Sequence, residues 1–235
     1  HTNMRAWLYL VARNLFFNYY HRGKEKVPLE EAEQMQDTGT QEALDRILKE
    51  EKMKISTKTI VTVGMFTAVL AVLSILQIPM PTGVPITLQT FAMALCGYVL
   101  GWQPGVAATL LYIVLGTVGV PIFAGMSAGP GVLFGYTGGF IFGFIFLTLL
   151  CGISVRRKNP AVKIILGVAG LVICHLLGAI QYAVLAHITI GASLVAVSLP
   201  YIVKDVISVV GAYLVAIAVR KALCAGNILQ DAKAA

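Results

Sequence analysis

The chain has 235 residues, of which 57% are hydrophobic and only 12% charged, a composition far from that of a soluble globular domain. Its formal net charge of +7 would permit a nucleic-acid partner, but in membrane proteins basic residues gather on cytoplasmic loops and meet anionic lipid. The composition therefore excludes a protein that is soluble over its whole length.

Residues 1–52 differ from the rest of the chain. They hold nine of the eleven acidic side chains, and their apolar residues are spaced as in amphipathic helices. The segment is too short to bury a stable core alone, and it lacks the apolar stretch and cleavage site of a secretory signal peptide. We predict two parts: a short soluble helical segment over 1–52 and a membrane domain over 53–235.

Residues 4–14 (MRAWLYLVARN) resemble the end of the promoter-recognising helical region of RNA polymerase sigma factors of the extracytoplasmic-function group. The similarity covers roughly residues 3–50, a fraction of such a factor. The side chains that it would place against promoter DNA or polymerase are Arg5, Arg13 and Arg22. The alternative is that these are solvated charges on a fragment. Since residues 53–55 (MKI) look like a natural start, we expect residues 1–52 to be a fused or misassembled remnant.

Long apolar runs follow from residue 59 onward and predict six membrane helices. The predicted spans are 59–77, 87–101, 104–119, 131–153, 161–186 and 200–219. The second and third are short, so they are expected to tilt or to cross incompletely. The predicted fold is an all-α integral membrane protein, a bundle of six transmembrane helices preceded by a short soluble helical segment.

The basic residues fall on one side of this arrangement. Lys and Arg precede the first span, lie between the fourth and fifth, and follow the last, whereas the connections around 78–86, 120–130 and 187–199 carry no Lys, Arg, Asp or Glu. The basic side of a membrane protein faces the cytoplasm. We therefore expect a multi-pass protein of the bacterial cell membrane with both termini cytoplasmic. Membrane lipid explains the charge, and nucleic acid is not expected as a partner.

The loop at residues 120–131 is rich in Gly and Pro, which allows the backbone to approach a ligand closely. It is not a nucleotide loop, because it lacks a Gly-Lys-Ser/Thr ending and the spacing of the dinucleotide fingerprint. Glycines continue into the fourth span, where close helix packing is the alternative role. Those glycines are Gly138, Gly139 and Gly143.

Asp205 is the only acidic residue between Glu51 and Asp231, and it lies in the last predicted span. An ionisable group at membrane depth is costly and by default marks a functional site. It lies roughly 7 Å from the outer end of that span, at about 1.5 Å per residue. Other polar residues at the same end are Gln89, Thr90, Tyr136, Thr137, Gln181 and Tyr182. Together they predict a ligand pocket.

Lys204 is not expected to pair with Asp205, because neighbours on a helix point about 100° apart. Either Asp205 accepts hydrogen bonds from ligand N–H groups while Lys204 meets a ligand carboxylate or extends to the interface, or both are structural. His175 is a candidate for a pocket or proton role, with a structural histidine as the alternative. Four cysteines have no metal or redox spacing and are interpreted as small core residues. They are Cys96, Cys151, Cys174 and Cys224. No catalytic set, metal or cofactor is predicted.

Three ordered motifs resemble the BioY family, the biotin-binding S components of energy-coupling factor (ECF) vitamin transporters. They are residues 84–91 (VPITLQTF), 121–125 followed by 135–140 (PIFAG and GYTGGF), and 200–205 (PYIVKD). The similarity covers about 53–222. It implies six helices, capture of biotin at the outer face, and uptake in a complex with a transmembrane coupling protein and two cytoplasmic ATPases.

The pocket pattern and the resemblance together give a candidate substrate-binding set. It consists of Asp205, Lys204, Gln89, Phe123, Ser127, Tyr136, Thr137, Tyr182 and His175. The resemblance also implies that the first span docks the coupling protein through small residues. These would be Gly64 and Ala68, or Thr67 and Ala71. Many relatives carry Lys three places after the Asp, where this chain has Ser208, so the partner of the biotin carboxylate stays open.

The function predicted from the sequence is biotin uptake by a membrane-embedded substrate-capture subunit that is not an enzyme and relies on partners for ATP. One alternative is an S component for another small vitamin. Another is a membrane-tethered transcription regulator acting through residues 1–52. An intramembrane enzyme is disfavoured because no catalytic set is recognisable.

Overall fold

The structure is a computed structural model that describes residues 57–226. The predictions made for residues 1–52, including the helical segment and its sigma-factor resemblance, lie outside the described residues. Within the described range the chain forms eight α-helices, one 3-10 turn and one two-stranded hairpin. Helices dominate although the apolar runs contain many glycines, because a helix satisfies all backbone hydrogen bonds of an apolar segment within that segment.

The helices and strands are numbered here in chain order. The helices are α1 (Thr57–Ile75), α2 (Gln89–Leu100), α3 (Trp102–Val118), α4 (Pro130–Leu133), α5 (Gly138–Ser154), α6 (Pro160–Ala186), α7 (Ile190–Val197) and α8 (Leu199–Ala225). The strands β1 (Gln77–Ile78) and β2 (Ile86–Thr87) pair antiparallel, and the 3-10 turn spans Ala124–Met126.

Three of the described helices, α1, α6 and α8, are long and apolar enough to cross a membrane, by length and composition. Three shorter apolar helices, α2, α3 and α5, accompany them. The prediction of a helical membrane protein is confirmed, and the count of six crossings stays a prediction. Helix α2 has 12 residues, about 18 Å at 1.5 Å per residue, which is less than the roughly 30 Å of a hydrocarbon core.

Helix α2 forms the centre of the bundle. It packs against α8, α5, α1 and α3, and every residue from 92 to 100 is buried. Gly101 alone connects it to α3 with φ +82°, a conformation that a residue with a Cβ seldom adopts. This central helix places the side chains of Gln89 and Thr90 in the interior.

Helices α5 and α6 pack closely through glycines. A Cβ at Gly143 would lie 2.5 Å from the Cα of Cys174, and a Cβ at Gly170 would lie 2.8 Å from the Cα of Leu147. Small residues permit such close approach of membrane helices. Gly143 therefore serves helix packing, which was the alternative role predicted for the glycines of the fourth span.

The predicted fourth span, 131–153, is wrong as a continuous helix. It is divided into α4 and α5, which are separated by residues 134–137. The side-chain amide of Gln181 donates to the backbone carbonyls of Leu133 and Gly135, each at 2.8 Å. The break is stable because a neighbouring helix satisfies carbonyls that the interrupted helix leaves unpaired.

Two connections contain structure that the sequence pattern did not predict. Residues 78–86, predicted as a connection, form most of the β1–β2 hairpin. The predicted connection 187–199 contains α7. Helix α7 begins where the Thr189 hydroxyl accepts a hydrogen bond from the Ala192 N–H at 3.3 Å, a normal N-cap arrangement. The hairpin and the loop 119–129 lie at the same end of the bundle and form the roof of a cavity.

Candidate functional site

A cavity of about 260 Å³ lies between the roof and the helices α2, α5, α6 and α8. This is near the lower end of the roughly 300–1,000 Å³ typical of small-molecule sites. The residues that line it are Gln77, Gly83, Val84, Pro85, Thr87, Gln89, Thr90, Phe123, Ala124, Ser127, Val132, Gly135, Thr137, Phe140, Ile141, Phe144, Leu171, Cys174, His175, Val197, Tyr201, Lys204 and Asp205. The lining combines apolar walls with many polar side chains, several of which already form hydrogen bonds within the protein.

Asp205 supplies the negative charge of the cavity and is only 5% exposed. The Nε2 atom of His175 lies 3.2 Å from its Oδ2 atom, within reach of an imidazole N–H donor. The ammonium of Lys204 contacts its Oδ1 atom. A buried carboxylate requires donors of this kind, and among residues 57–226 it is the only acidic side chain.

The prediction that Lys204 would not pair with Asp205 is wrong. Lys204 Nζ contacts the Asp205 carboxylate and also donates to the backbone carbonyl of Thr87 at 3.0 Å. The directions of adjacent Cβ atoms do diverge on a helix, but four methylene groups let the lysine side chain fold back over that angle. Its side chain keeps 32% exposure, so the ammonium lies at the rim of the cavity.

Gln89 has a fixed orientation at the inner wall. Its Nε2 donates to the hydroxyl of Tyr112 at 2.9 Å, and its Oε1 accepts from the hydroxyl of Thr87 at 3.3 Å. The Tyr112 hydroxyl in turn donates to the carbonyl of Ile122 at 3.3 Å. This series of hydrogen bonds joins α2, α3 and the loop of the roof. It therefore defines which amide atom of Gln89 faces the cavity.

The hairpin of the roof is held by side chains from α6 and α8. The hydroxyl of Tyr182 donates to the carbonyl of Thr82 at 3.1 Å, and the hydroxyl of Tyr201 donates to the carbonyl of Val84 at 2.5 Å. Lys204 holds a third carbonyl, that of Thr87 at the end of β2. Backbone groups that have no ladder partner are thereby satisfied, and the hairpin is fixed above the Asp205 carboxylate.

The second part of the roof is the loop that contains the 3-10 turn. Phe123 is 1% exposed and stacks edge-on against Tyr112, while the Ser127 hydroxyl donates to the carbonyl of Ala124 at 2.8 Å. Gly125 has φ +63°, and the side chain of Gln77 occupies the place of a Cβ there. The hairpin and the loop therefore meet directly, and glycine at residue 125 allows the contact.

Most members of the candidate substrate-binding set line this cavity. They are Asp205, Lys204, Gln89, Phe123, Ser127, Thr137 and His175. Tyr136 and Tyr182 are not among its lining residues; their rings stack on each other at 5.1 Å, outside the hairpin. Tyr182 was included as a polar residue at the same end as Asp205, but its hydroxyl reaches the roof backbone instead of the cavity.

Several lining residues were missed by the sequence analysis. Phe140 and Phe144 lie four residues apart on α5, and Tyr201 lies four residues before Asp205 on α8. Residues at i and i+4 share a helix face, so this spacing was the available signal. Cys174, interpreted as a core residue, is buried and also lines the cavity.

The two small-residue pairs of α1 lie on different faces. Thr67 is 4% exposed, and its hydroxyl donates to the carbonyls of Val63 and Ala108. Ala71 packs against the core. The pair Thr67 and Ala71 therefore faces the bundle and is not available for docking, whereas Gly64 and Ala68 are exposed.

Metal chemistry has no candidate centre within residues 57–226, where no group of three or more His, Cys, Asp or Glu side chains could hold an ion. The buried cysteines Cys96, Cys151 and Cys174 are free thiols. The cavity offers a carboxylate, an ammonium, hydrogen-bonding side chains and apolar walls for contact with a ligand.

Comparison with known proteins gives consistent matches over the membrane domain. The model of the BioY family matches residues 48–225. The biotin transporter BioY of Thermotoga maritima is 36% identical over 165 residues, which cover 70% of this chain and 96% of that protein. The biotin transporter BioY2 of Lactococcus lactis subsp. cremoris is 30% identical over 176 residues, covering 74% and 95%.

A solved structure has a similar fold. It is the crystal structure at 2.1 Å of the S-component for biotin from an ECF-type ABC transporter, with a TM-score of 0.65. It is 24% identical in sequence, and the match covers 71% of this chain and 95% of that one. The likeness concerns the helical fold of the membrane domain.

Proposed function

The chain belongs to the BioY family, and from this premise we propose that it is the membrane-embedded subunit that captures biotin for an ECF transporter. The relatives are named as transporters, so the chain is a transporter component and not an enzyme. The observation that carries the proposal is the buried carboxylate of Asp205, which faces a cavity of small-molecule size in a helical membrane bundle.

The chemistry of biotin matches the polar groups of the cavity. Its ureido N–H groups require an acceptor, which Asp205 supplies at a depth where a charged hydrogen bond is strong. Its ureido oxygen requires a donor, which the amide of Gln89 offers through the N–H that Tyr112 leaves unused. Its fused rings require apolar walls, and Phe140, Phe144 and Phe123 provide them.

The contact between Lys204 and Asp205 limits where the biotin carboxylate can lie. The ureido and carboxylate groups are at opposite ends of biotin, so adjacent protein groups cannot receive both ends of one extended ligand. We assign the ureido end to Asp205. To meet the carboxylate of the same ligand, the ammonium of Lys204, which lies at the rim and is partly exposed, has to release Asp205 and extend away from it.

The remaining members of the set have supporting positions. His175 fixes the orientation of the Asp205 carboxylate through the 3.2 Å contact. Thr137 and Ser127 line the cavity from the two sides of the roof. Tyr182 holds the hairpin at the Thr82 carbonyl, and the ring of Tyr136 contacts that of Tyr182, so neither is assigned to the ligand.

The charge distribution supports an orientation with the cavity outside and both termini in the cytoplasm. The helix ends opposite the roof carry Lys and Arg, while the roof connections carry no Lys, Arg, Asp or Glu. The basic side of a membrane protein is normally cytoplasmic. With six crossings of the cell membrane, the cavity opens to the side from which biotin enters.

Uptake then requires partners that supply energy. We assign these roles to a transmembrane coupling protein and two cytoplasmic ATPases, as the family resemblance implies, because the chain has no Gly-Lys-Ser/Thr nucleotide loop. The exposed pair Gly64 and Ala68 on α1 is the proposed docking site for the coupling protein, since small residues allow close helix contact in a membrane.

Selective binding tests the proposal. The full chain, purified in detergent, should bind labelled biotin at equilibrium, and unlabelled biotin should displace the label while thiamine and riboflavin should not. Biotin should also raise the thermal unfolding temperature, because a ligand that binds only the folded state stabilises it. Displacement by another vitamin would reassign the substrate within the same transporter class, and no binding by a folded sample would contradict the proposal.

A further inference from the structure

The end of the bundle opposite the cavity carries nearly all the positive charge of the described chain. Residues 57–226 contain eight Lys and Arg side chains, and of these only Lys204 lies at the cavity. The others lie at helix ends away from the roof. They are Lys58 at the start of α1, Arg156, Arg157 and Lys158 between α5 and α6, Lys163 near the start of α6, and Arg220 and Lys221 near the end of α8. We call the six that lie between α5 and α6, on α6 and on α8 the cationic end.

No acidic side chain of residues 57–226 lies near the cationic end. Asp205 is the only one in that range, and it precedes Arg220 by fifteen residues on the same helix. At 1.5 Å per residue the two are about 22 Å apart along α8, about twice the screening length of roughly 10 Å in 0.1 M salt. Asp205 therefore contributes little screening to the charges of Arg156, Arg157, Lys158 and Arg220.

Two of the cations are held in defined positions against the protein. The Nη1 atom of Arg220 donates to the carbonyl of Val99 at the end of α2, at 2.5 Å. The ammonium of Lys163 lies 5.9 Å from the ring centre of Tyr213, a cation–π distance. The hydroxyl of Tyr98 donates to the carbonyl of Lys163 at 3.0 Å and joins α2 to α6. These positions form a fixed site between three helices.

Donors remain available at this site. A guanidinium has five N–H groups, and Arg220 uses one of its donors on Val99. The side chains of residues 156–158 are exposed in the turn between α5 and α6. Guanidinium groups bind phosphate oxygens with good geometry, so the chemistry of the site matches a phosphodiester.

Apolar side chains continue from this site along the bundle surface. Ile165 on α6 is 64% exposed, and Leu214 and Ile217 on α8 are 60% and 53% exposed. A free phosphate ion has no group that could cover them, whereas a phospholipid presents an anionic headgroup and apolar chains together. An acidic protein surface would match the charge but would not need this adjacent apolar surface.

We propose that the cationic end binds anionic phospholipid, with the phosphodiester between the 156–158 turn and the Lys163–Arg220 site and the acyl chains along α6 and α8. This fixes the depth of α8, the helix that carries Asp205 at its other end. Each cation near an anionic membrane surface strengthens the interaction about fivefold. Loss of the three exposed side chains should therefore weaken lipid binding on the order of a hundredfold.

The test uses the full chain in a neutral detergent. Phosphatidylglycerol and phosphatidylcholine with the same acyl chains are titrated, and inorganic phosphate is a third arm. Native mass spectrometry counts the retained lipids, and thermal unfolding is followed in the same samples. Phosphatidylglycerol should be retained and should raise the unfolding temperature, whereas phosphatidylcholine and inorganic phosphate at equal concentration should not.

The variant with Arg156→Gln, Arg157→Gln and Lys158→Gln should lose this preference. The matched variant with Arg156→Lys, Arg157→Lys and Lys158→Arg should keep it, because the charge is conserved. A second variant, Lys163→Gln with Arg220→Gln, tests the fixed site. Biotin binding of the exposed-turn variants should stay unchanged, which separates this proposal from the function of the cavity.

Equal retention of phosphatidylglycerol by the wild type and the glutamine turn variant would overturn the proposal. So would equal stabilisation by the two lipids, which would show that binding does not depend on the charge of the headgroup. Stabilisation by inorganic phosphate alone would show an anion site without a lipid role and would also overturn it.

Discussion

Helix α8 carries charge near both of its ends, and the two ends satisfy that charge in different ways. Near its start, Lys204 and Asp205 contact each other, and Asp205 is 5% exposed with His175 as a second partner. Near its end, Arg220 is partly exposed and Lys221 is exposed, and the described contact of Arg220 is a backbone carbonyl.

The difference separates a helix end whose charges have to be arranged for function from a helix end whose charges only have to match the membrane surface. A buried charge must be paired and hydrogen-bonded, because desolvation otherwise costs several kcal/mol. Cations at a helix end near the membrane surface need no such partner, since water and headgroups solvate them. Substitutions at the cavity end should therefore have much larger effects than equivalent substitutions at the cationic end.

The largest effect is expected for Asp205→Ala. It removes the acceptor for the ureido group and leaves the partly buried Lys204 without its carboxylate partner. Biotin affinity should fall on the order of a hundredfold, corresponding to one or two lost charged hydrogen bonds. The free energy of unfolding should fall by about 3 kcal/mol, because a buried pair is broken.

Equilibrium binding of labelled biotin and thermal unfolding measure the two effects of Asp205→Ala. Ser208→Ala is the matched control, since Ser208 lies on the same helix but is not a cavity-lining residue. If Asp205→Ala retained wild-type affinity, the difference between the two ends of α8 would have no functional meaning.

A smaller effect is expected for Tyr201→Phe, which removes the hydroxyl that holds the Val84 carbonyl. One neutral hydrogen bond contributes about 1 kcal/mol, so the hairpin should open more often and labelled biotin should dissociate about five- to tenfold faster. Stopped-flow dissociation measures this rate. Tyr213→Phe on the same helix is the control, because no described hydrogen bond uses the Tyr213 hydroxyl. An equal change of the dissociation rate in both variants would refute a specific role of the hairpin.

At the cationic end, Arg220→Gln should have a modest effect on stability alone. It loses the hydrogen bond to the Val99 carbonyl, so the free energy of unfolding should fall by about 1 kcal/mol in neutral detergent. Biotin affinity should not change, because Arg220 does not line the cavity. Thermal unfolding measures the effect, with Lys221→Gln as the control. Weakened biotin binding by Arg220→Gln would show that the two ends of α8 are coupled.

The smallest effect is expected for Arg157→Gln in the exposed turn. An exposed substitution away from caps and buried networks changes stability by less than about 0.5 kcal/mol. In neutral detergent the unfolding temperature and the biotin affinity should both equal those of the wild type. A loss comparable to that of Asp205→Ala would contradict the assignment of this end as a solvated boundary.

Much of the fold was predictable from apolar runs, since helices α1, α6 and α8 follow from length and hydropathy alone. The position of Asp205 in a cavity was also predictable, because a lone carboxylate in an apolar span is unusual whatever surrounds it. Both inferences rest on local composition. They need no knowledge of which helices become neighbours.

The features that were missed depend on contacts between distant residues. The break between α4 and α5 is stabilised by Gln181, more than forty residues away. The hairpin is held by Tyr182 and Tyr201, about one hundred residues along the chain. The pairing of Lys204 with Asp205 depends on a side-chain conformation that helical geometry alone argues against. Such contacts follow from packing, which the sequence pattern does not specify.

The central claim is that the Asp205 carboxylate accepts a hydrogen bond from the ureido group of biotin. A cycle of four calorimetric titrations tests it most directly: wild type and Asp205→Asn, each with biotin and with the carbamate analogue in which one ureido N–H is replaced by oxygen. If the two groups interact, the losses are not additive, and the coupling should be at least about 1.5 kcal/mol. Losses that add to within about 0.5 kcal/mol would contradict the claim.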